Sequence, residues 1–280
     1  MIDRSLLPRL LSSALLIGLL IGTVYWSQTH WLLCFLVCEV VVLVGLRELL
    51  ALLREKKVKV FELYTLAGGA ALTAAIFFSS YPRNLSGDLA FWVFFGWCLG
   101  LFFLQVKVPS TEGAIQTLFL SIGGLLYVAY LFGFLIKINY LDSVDGRWFV
   151  YYTVIAVYSA DIAAYLVGSL VGKHPLAPKI SPHKTQEGAM GALLGACAGS
   201  LIAQRLFLPQ VSVLHAVILG FLIGIVSQAG DLWESILKRD AGVKDSGKSI
   251  PGMGGVLDLM DGLLFCAPLV FLYMKLILRV

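Results

Sequence analysis

Charge is what this sequence has least of. Only 14% of its 280 residues are Asp, Glu, Lys or Arg, against 59% hydrophobic, and the mean hydropathy is +0.88. A soluble domain averages about 25% charged and about 45–50% apolar, so a water-soluble globule is excluded and an integral membrane protein is expected. The basic excess is small, 21 Lys and Arg against 17 Asp and Glu, a net +4. In a membrane chain such an excess reports orientation, and no nucleic-acid partner is expected from it. Cysteine is scarce. Cys34, Cys38, Cys98, Cys197 and Cys266 lie in apolar runs, and no pair has zinc-finger spacing, so they read as small packing residues. Low-complexity tracts, repeats and a soluble domain are also lacking.

What fills the chain is long apolar runs. A helix needs about 20 apolar residues to cross the bilayer core. Nine windows meet that need: 8–27, 31–53, 62–80, 89–107, 114–136, 148–170, 188–208, 212–230 and 259–279. Arg4 and Arg9 ahead of the first run resemble a signal peptide. The run continues through Ile21 and Tyr25 without a small-residue cleavage site, so it reads as a first spanning helix. Pro82, Pro109, Pro175, Pro209 and Pro251 all fall between windows, where breaking a helix is harmless. The expected fold is all-α: a polytopic integral membrane protein of about nine transmembrane helices. Residues 1–140 form the N-terminal helices and 141–280 the C-terminal catalytic region. With the N-terminus cytoplasmic, the inner side gathers most Lys and Arg, including Arg54, Lys56, Lys57, Lys59, Lys173, Lys179, Lys184, Lys238, Arg239, Lys244 and Lys248. The positive-inside rule favours that orientation. It places two polar loops, 172–187 and 231–258, on the cytoplasmic side.

Those loops carry the chemistry. In 172–187, Pro175, Pro178 and Pro182 forbid a helix and keep the chain extended. Lys173, Lys179, Lys184, Ser181 and Thr185 supply phosphate donors. Gly188 and Gly191 open the next helix, whose first amides can face an anion. In 231–258, Asp231, Glu234, Asp240, Asp245, Asp258 and Asp261 just beyond it interleave with Lys238, Arg239, Lys244 and Lys248. Asp231 and Glu234 share a helix face if the eighth helix continues, as do Asp258 and Asp261 at the start of the ninth. Carboxylates suit Mg²⁺ and lysines suit phosphate. Gly247, Gly252, Gly254 and Gly255 permit a turn that exposes amides to a phosphate. The strand and spacing of a P-loop are missing. Asp161 lies inside the sixth window and needs either a partner or a polar cavity. Arg47 and Glu48, near the end of the second, are expected to snorkel toward the interface.

These residues resemble the phosphatidate cytidylyltransferases, the CDP-diacylglycerol synthases. The family signature is matched by Ser235, Lys238-Arg239, Lys244-Asp245, Pro251, Gly254-Gly255, Asp258 and Asp261. Upstream matches are Asp161 with Ala164-Tyr165 and Gly168, then Gly172-Lys173, Ser181-Pro182, Lys184-Thr185, Glu187-Gly188, and Gly230-Asp231 with Glu234. The likeness covers roughly the last 130 residues; the first half matches only as apolar helices. Met253 stands where the family usually has His, and Leu259 where it usually has Arg, so the roles of those side chains are not carried over. The resemblance implies transfer of the cytidylyl group of CTP to phosphatidic acid, giving CDP-diacylglycerol and pyrophosphate for phospholipid synthesis. It implies catalytic Asp231, Lys238, Asp258 and Asp261. Substrate would be bound by Asp161, Ser181, Lys184, Thr185, Lys244 and Asp245. Asp231, Glu234, Asp258 and Asp261 would ligate Mg²⁺ at two divalent sites, with room for a monovalent cation. The expected partners are CTP from the cytoplasm, phosphatidic acid from the inner leaflet of a bacterial inner membrane, surrounding lipid, and a second copy in a homodimer. The alternatives are a CTP-dependent lipid kinase, which needs a general base for its alcohol acceptor, and a transporter, which would gather polar residues at mid-membrane.

Overall fold

The computed structural model describes residues 6–81, 88–109, 111–141, 143–252 and 254–279, and side chains from residue 15 onward. Arg4, Pro82, Met253 and the side chain of Arg9 lie outside the described residues. Within them, each apolar window is a helix. These are α1 (Leu6–Tyr25), α2 (Trp31–Glu55), α3 (Glu62–Ser80), α4 (Leu89–Val106), α5 (Ala114–Asn139), α6 (Gly146–Val171), α7 (Gln186–Phe207), α8 (Val213–Asp240) and α9 (Val256–Leu278). A π turn over Leu125–Tyr130 interrupts α5 just after Gly123 and Gly124, and a second ends α9. Seven of the helices, α3 to α9, are long and apolar enough to cross a membrane. The chain is an all-α, polytopic integral membrane protein.

The one sheet among the described residues is a hairpin of β1 (Pro175–Ala177) and β2 (Ser181–Thr185). It is antiparallel, with Pro175 opposite Thr185 and Ala177 opposite Ser181. Pro175 and Pro182 thus sit in the extended pair, and Pro178 in the turn that joins its strands. The second polar loop is shorter than its composition suggests. Residues 231–240 continue α8, and the irregular segment is 241–255. Nothing between Asp231 and Asp240 breaks a helix. Glu234 and Lys238 pair one turn apart, Lys238 and Arg239 sit at the negative end of the helix dipole, and Gly242, at φ +74°, turns the chain away.

The chain divides into two compact units, one of residues 1–137 with 240–259, the other of 138–239 with 260–280. In the first, Leu46 of α2 is fully buried against Gly69 of α3 and Gly124 of α5. Helix α4 buries only Ala90 and Leu101. Its Trp92, Phe103 and Val106 are 61, 69 and 83% exposed, a face fit for lipid. In the second unit, Asp145 caps α6. It accepts from the Arg147 amide and is gripped by the guanidinium at 2.8 and 2.7 Å, which holds this carboxyl below its ordinary pKa. Helix α7 lays Gly188, Gly191, Gly195 and Gly199 along α6, meeting Ala164, Val167, Ala163 and Ser159. Lipid gives helices little hydrophobic reason to associate, so close approach over small residues supplies the attraction instead.

A side chain at Gly195 would run into the Ala163 methyl and stand 2.5 Å from the Ser159 carbonyl oxygen. Gly195→Leu is expected to destabilise the protein by about 1–3 kcal/mol, read as a lower unfolding temperature in detergent. Gly96→Leu, on α4 with nothing within 4 Å, should leave that temperature unchanged.

Candidate active site

Four carboxylates gather in the second unit. Asp231 and Glu234 lie one turn apart on α8. Asp261 lies on α9, close enough to Asp231 and Glu234 to feel their charges. Asp161 on α6 feels Asp231 and Lys184. The α8–α9 contact is tight here, for a side chain at Gly230 would stand 2.6 Å from the Asp261 carbonyl oxygen. Two lysines answer the cluster. Lys184, on β2, pairs with Asp231. Lys238 pairs at 3.0 Å with Glu234, whose side chain is fully buried. Asp161 is exposed, beside exposed Ile162 and Tyr165.

The hairpin is tied to the same helices. Arg239 donates to the Ile180 carbonyl at the turn. Glu187 accepts from the amides of Lys173 and His174 at 3.0 and 3.2 Å, and its other oxygen meets the His174 ring. Thr185 caps α7, its hydroxyl accepting from Gly188 N–H at 3.1 Å. The first amides of α7, expected to face an anion, therefore include one already bonded by Thr185. Ser181 is half-buried on β2, while Lys173 and Lys179 are exposed.

The first unit holds a different arrangement around the segment 241–255. Asp258, in the first turn of α9, accepts from Ser246 N–H, Ser246 hydroxyl and Gly255 N–H at 2.9, 2.9 and 2.7 Å. The last of these is the backward half of a capping box. Glu48 is 6% exposed and does not snorkel. Its Oε1 accepts from the Ser249 hydroxyl and Val256 N–H, and its Oε2 from the Ser246 hydroxyl and Leu257 N–H. The amide of Gly255, one of the turn glycines expected to expose amides to a phosphate, is thus bonded within the protein, as are those of Val256 and Leu257. A helix start needs acceptors for its first amides, and two carboxylates provide them. Lys244, Asp245 and Lys248 stand exposed on this segment.

Six residues singled out in the sequence therefore come together in one unit: Asp161, Lys184, Asp231, Glu234, Lys238 and Asp261. Asp258 is engaged by its own loop, with Lys244 and Asp245 on that loop. Glu48 and Ser246 were missed as loop partners. A charged residue in the last third of a long apolar run was the only signal for Glu48. Among the described residues, no three His, Cys, Asp or Glu side chains converge as a ready metal cage. The donor set nevertheless fits a hard cation. It is all oxygen, with carboxyl groups of α6, α8 and α9 beside two ammonium groups.

The profile of the cytidylyltransferase family matches residues 8–277. The chain belongs to that family and is a membrane-embedded nucleotidyltransferase. It is 34% identical over 235 residues to the phosphatidate cytidylyltransferase of Bacillus subtilis (strain 168), covering 84% of this chain and 86% of that protein. Identity is 31% over 281 residues with the phosphatidate cytidylyltransferase of Mycobacterium tuberculosis (strain ATCC 25618 / H37Rv), covering 94% and 81%. The uncharacterized protein YnbB of Escherichia coli (strain K12) is 37% identical over 174 residues, 61% of this chain and 58% of that one, so the matched stretch spans little more than half of YnbB.

Thr185→Val should remove the α7 cap and cost about 1 kcal/mol of stability, read by thermal unfolding in detergent, while Thr185→Ser should keep it. Lost transfer activity in Thr185→Val at unchanged stability would instead make the hydroxyl a substrate donor.

Proposed function

We propose that this protein transfers the cytidylyl group of CTP to phosphatidic acid. An oxygen of the lipid phosphate attacks the α-phosphorus of CTP. The bond between the α-phosphorus and the bridging oxygen breaks, and pyrophosphate leaves. The attacking group is already an anion, so no strong base is required. The task is to bring two polyanions together, and the observation that carries the reading is the set of carboxylates and lysines on α6, β2, α8 and α9.

Asp231, Glu234 and Asp261 are the carboxylates we propose to hold Mg²⁺, while Asp258, engaged by its own loop, has a ligand role proposed from the family resemblance alone. When bound, the ion neutralises charge on the triphosphate and on the leaving pyrophosphate. Lys184 and Lys238 hold phosphate oxygens, Lys244 is proposed as a phosphate ligand from the family resemblance, and Asp161 faces the headgroup. Asp245 orients a neighbouring lysine, and Ser181 donates from the hairpin. The basic loops support an active site on the cytoplasmic side of a bacterial inner membrane, with the lipid entering from the inner leaflet. A homodimer is the assembly we expect.

The test is an incubation of detergent-purified protein with phosphatidic acid, Mg²⁺ and CTP labelled in the cytosine ring. Label should enter the lipid phase, vanish on chelation and return with added Mg²⁺. Asp231→Asn and Asp258→Asn should each lower the rate at least about a hundredfold with the helical circular dichroism intact. Activity near wild type in either would remove that residue from the metal set. Unlabelled lipid with CDP released onto an added lipid alcohol would make the enzyme a kinase.

A further inference from the structure

The Glu48 carboxylate is the most heavily used acceptor in the first unit, and the reaction as set out gives it no part. It lies on α2, about 200 residues before its partners. Its Oε1 takes the Ser249 hydroxyl and, at 3.1 Å, the Val256 amide; its Oε2 takes the Leu257 amide at 2.9 Å and, at 3.4 Å, shares the one proton of the Ser246 hydroxyl with the nearer Asp258. All four donors are neutral, so the charge is met by dipoles, among them the positive end of α9. The loop is moulded onto the carboxylate. A side chain at Gly247 would stand 2.6 Å from Oε1, and one at Gly255 would stand 2.5 Å from Oε2. Between its anchors at Ser246 and Ser249 the loop carries Lys248, with Lys244 two residues before the first anchor, and both lysines are exposed.

We propose that Glu48 is a positioning residue for the nucleotide: it fixes the 244–249 loop so that Lys244 and Lys248 are presented to the triphosphate. The proposal rests on the cytidylyltransferase reading of the chain. A carboxylate is required and not merely a polar side chain of that size. Glutamine would turn its NH₂ toward one hydroxyl, which can accept instead, and one backbone amide, which cannot, so that bond is lost and donor is set against donor. Leaving donors unmet in a buried site costs more than the bond itself contributes.

Two readouts test this, one of which needs no activity. In detergent-purified Glu48→Gln, trypsin should cut after Lys248 about tenfold faster than in wild type, while cutting after Lys173 and Lys179 stays at the wild-type rate. KM for CTP should rise about tenfold, with KM for phosphatidic acid changed by less than about twofold. Ser249→Ala, which removes one donor only, should move both readouts the same way by less. Wild-type cleavage after Lys248 together with an unchanged KM for CTP would overturn the proposal. Faster cleavage at all three lysines would also overturn it, because Glu48 would then hold the whole protein. If Glu48→Gln does not fold, Ser249→Ala decides by the same two readouts. Should the wild-type protein transfer no cytidylyl group, the functional reading fails, and the cleavage comparison still reports whether Glu48 holds the loop.

Discussion

A carboxylate inside a chain this apolar has to be met by donors, because leaving it ionised and unmet in a weakly polarisable interior costs several kcal/mol. The protein meets this requirement in two ways. Glu48 and Asp258 are satisfied by hydroxyls and by the amides at the start of α9, groups with dipoles but no net charge. Asp231 and Glu234 are answered by the lysines Lys184 and Lys238. Much of the local structure follows from these pairings. Gly247 and Gly255 keep their places because a Cβ would strike the Glu48 carboxylate. The hairpin lies along α8 because Lys184 and Arg239 tie it there. Helix α8 runs ten residues past Gly230, which lets one face carry Asp231, Glu234, Ser235 and Lys238 at helical spacing.

The donors can reach their acceptors only if the helices approach closely. On α7 the small residues recur every three or four positions, Gly188, Gly191, Gly195 and Gly199, and each brings a backbone against α6. The same device recurs on α8, where Gly220 and Gly224 meet Ser200, Cys197, Ala196 and Leu193 of α7. Backbone contact at these points leaves the polar side chains of neighbouring turns within hydrogen-bonding range. The buried bond between the Tyr152 and Ser200 hydroxyls, with Ser200 also donating to the Ala216 carbonyl, is one instance far from the carboxylates. Packing and polar chemistry are therefore one problem in the second unit.

Much of this was legible in the sequence. A run of about 20 apolar residues has few fates other than a spanning helix, and all nine windows are helices, eight of them within a few residues of the expected bounds while α8 runs ten residues further. The extended hairpin followed from Pro175, Pro178 and Pro182. What periodicity conceals is pairing at a distance. Glu48 looked like a side chain bound for the interface because its partners, at 246 and 249 and at 256 and 257, lie far along the chain. The glycine-rich stretch read as a cradle of amides for phosphate, but the Gly255 amide is taken by Asp258 and the Gly254 amide by the Ile250 carbonyl. The end of α8 was misjudged because charge density was read as loop. Charges spaced as Glu234 and Lys238 are also suit a helix leaving the bilayer.

The pairing has a consequence for binding. Lys184 and Lys238 are engaged by carboxylates, and those carboxylates are engaged by lysines. A bare triphosphate finds its lysines occupied and must displace Asp231 and Glu234, which then stand uncompensated beside Asp261. A bare divalent cation must in turn displace the lysines and leave ammonium groups unmet in a partly buried site. Each half-exchange strands like charges, and at a few ångströms in a medium less polar than water that costs several kcal/mol. On the proposed reading, a nucleotide that arrives with its cation presents both signs together. Lysines then pass from carboxylate to phosphate as carboxylates pass from lysine to cation, and the count of opposite-charge contacts is conserved. The same ion pairs that hold the hairpin and α8 in place without substrate would thus make nucleotide and cation bind as a linked pair.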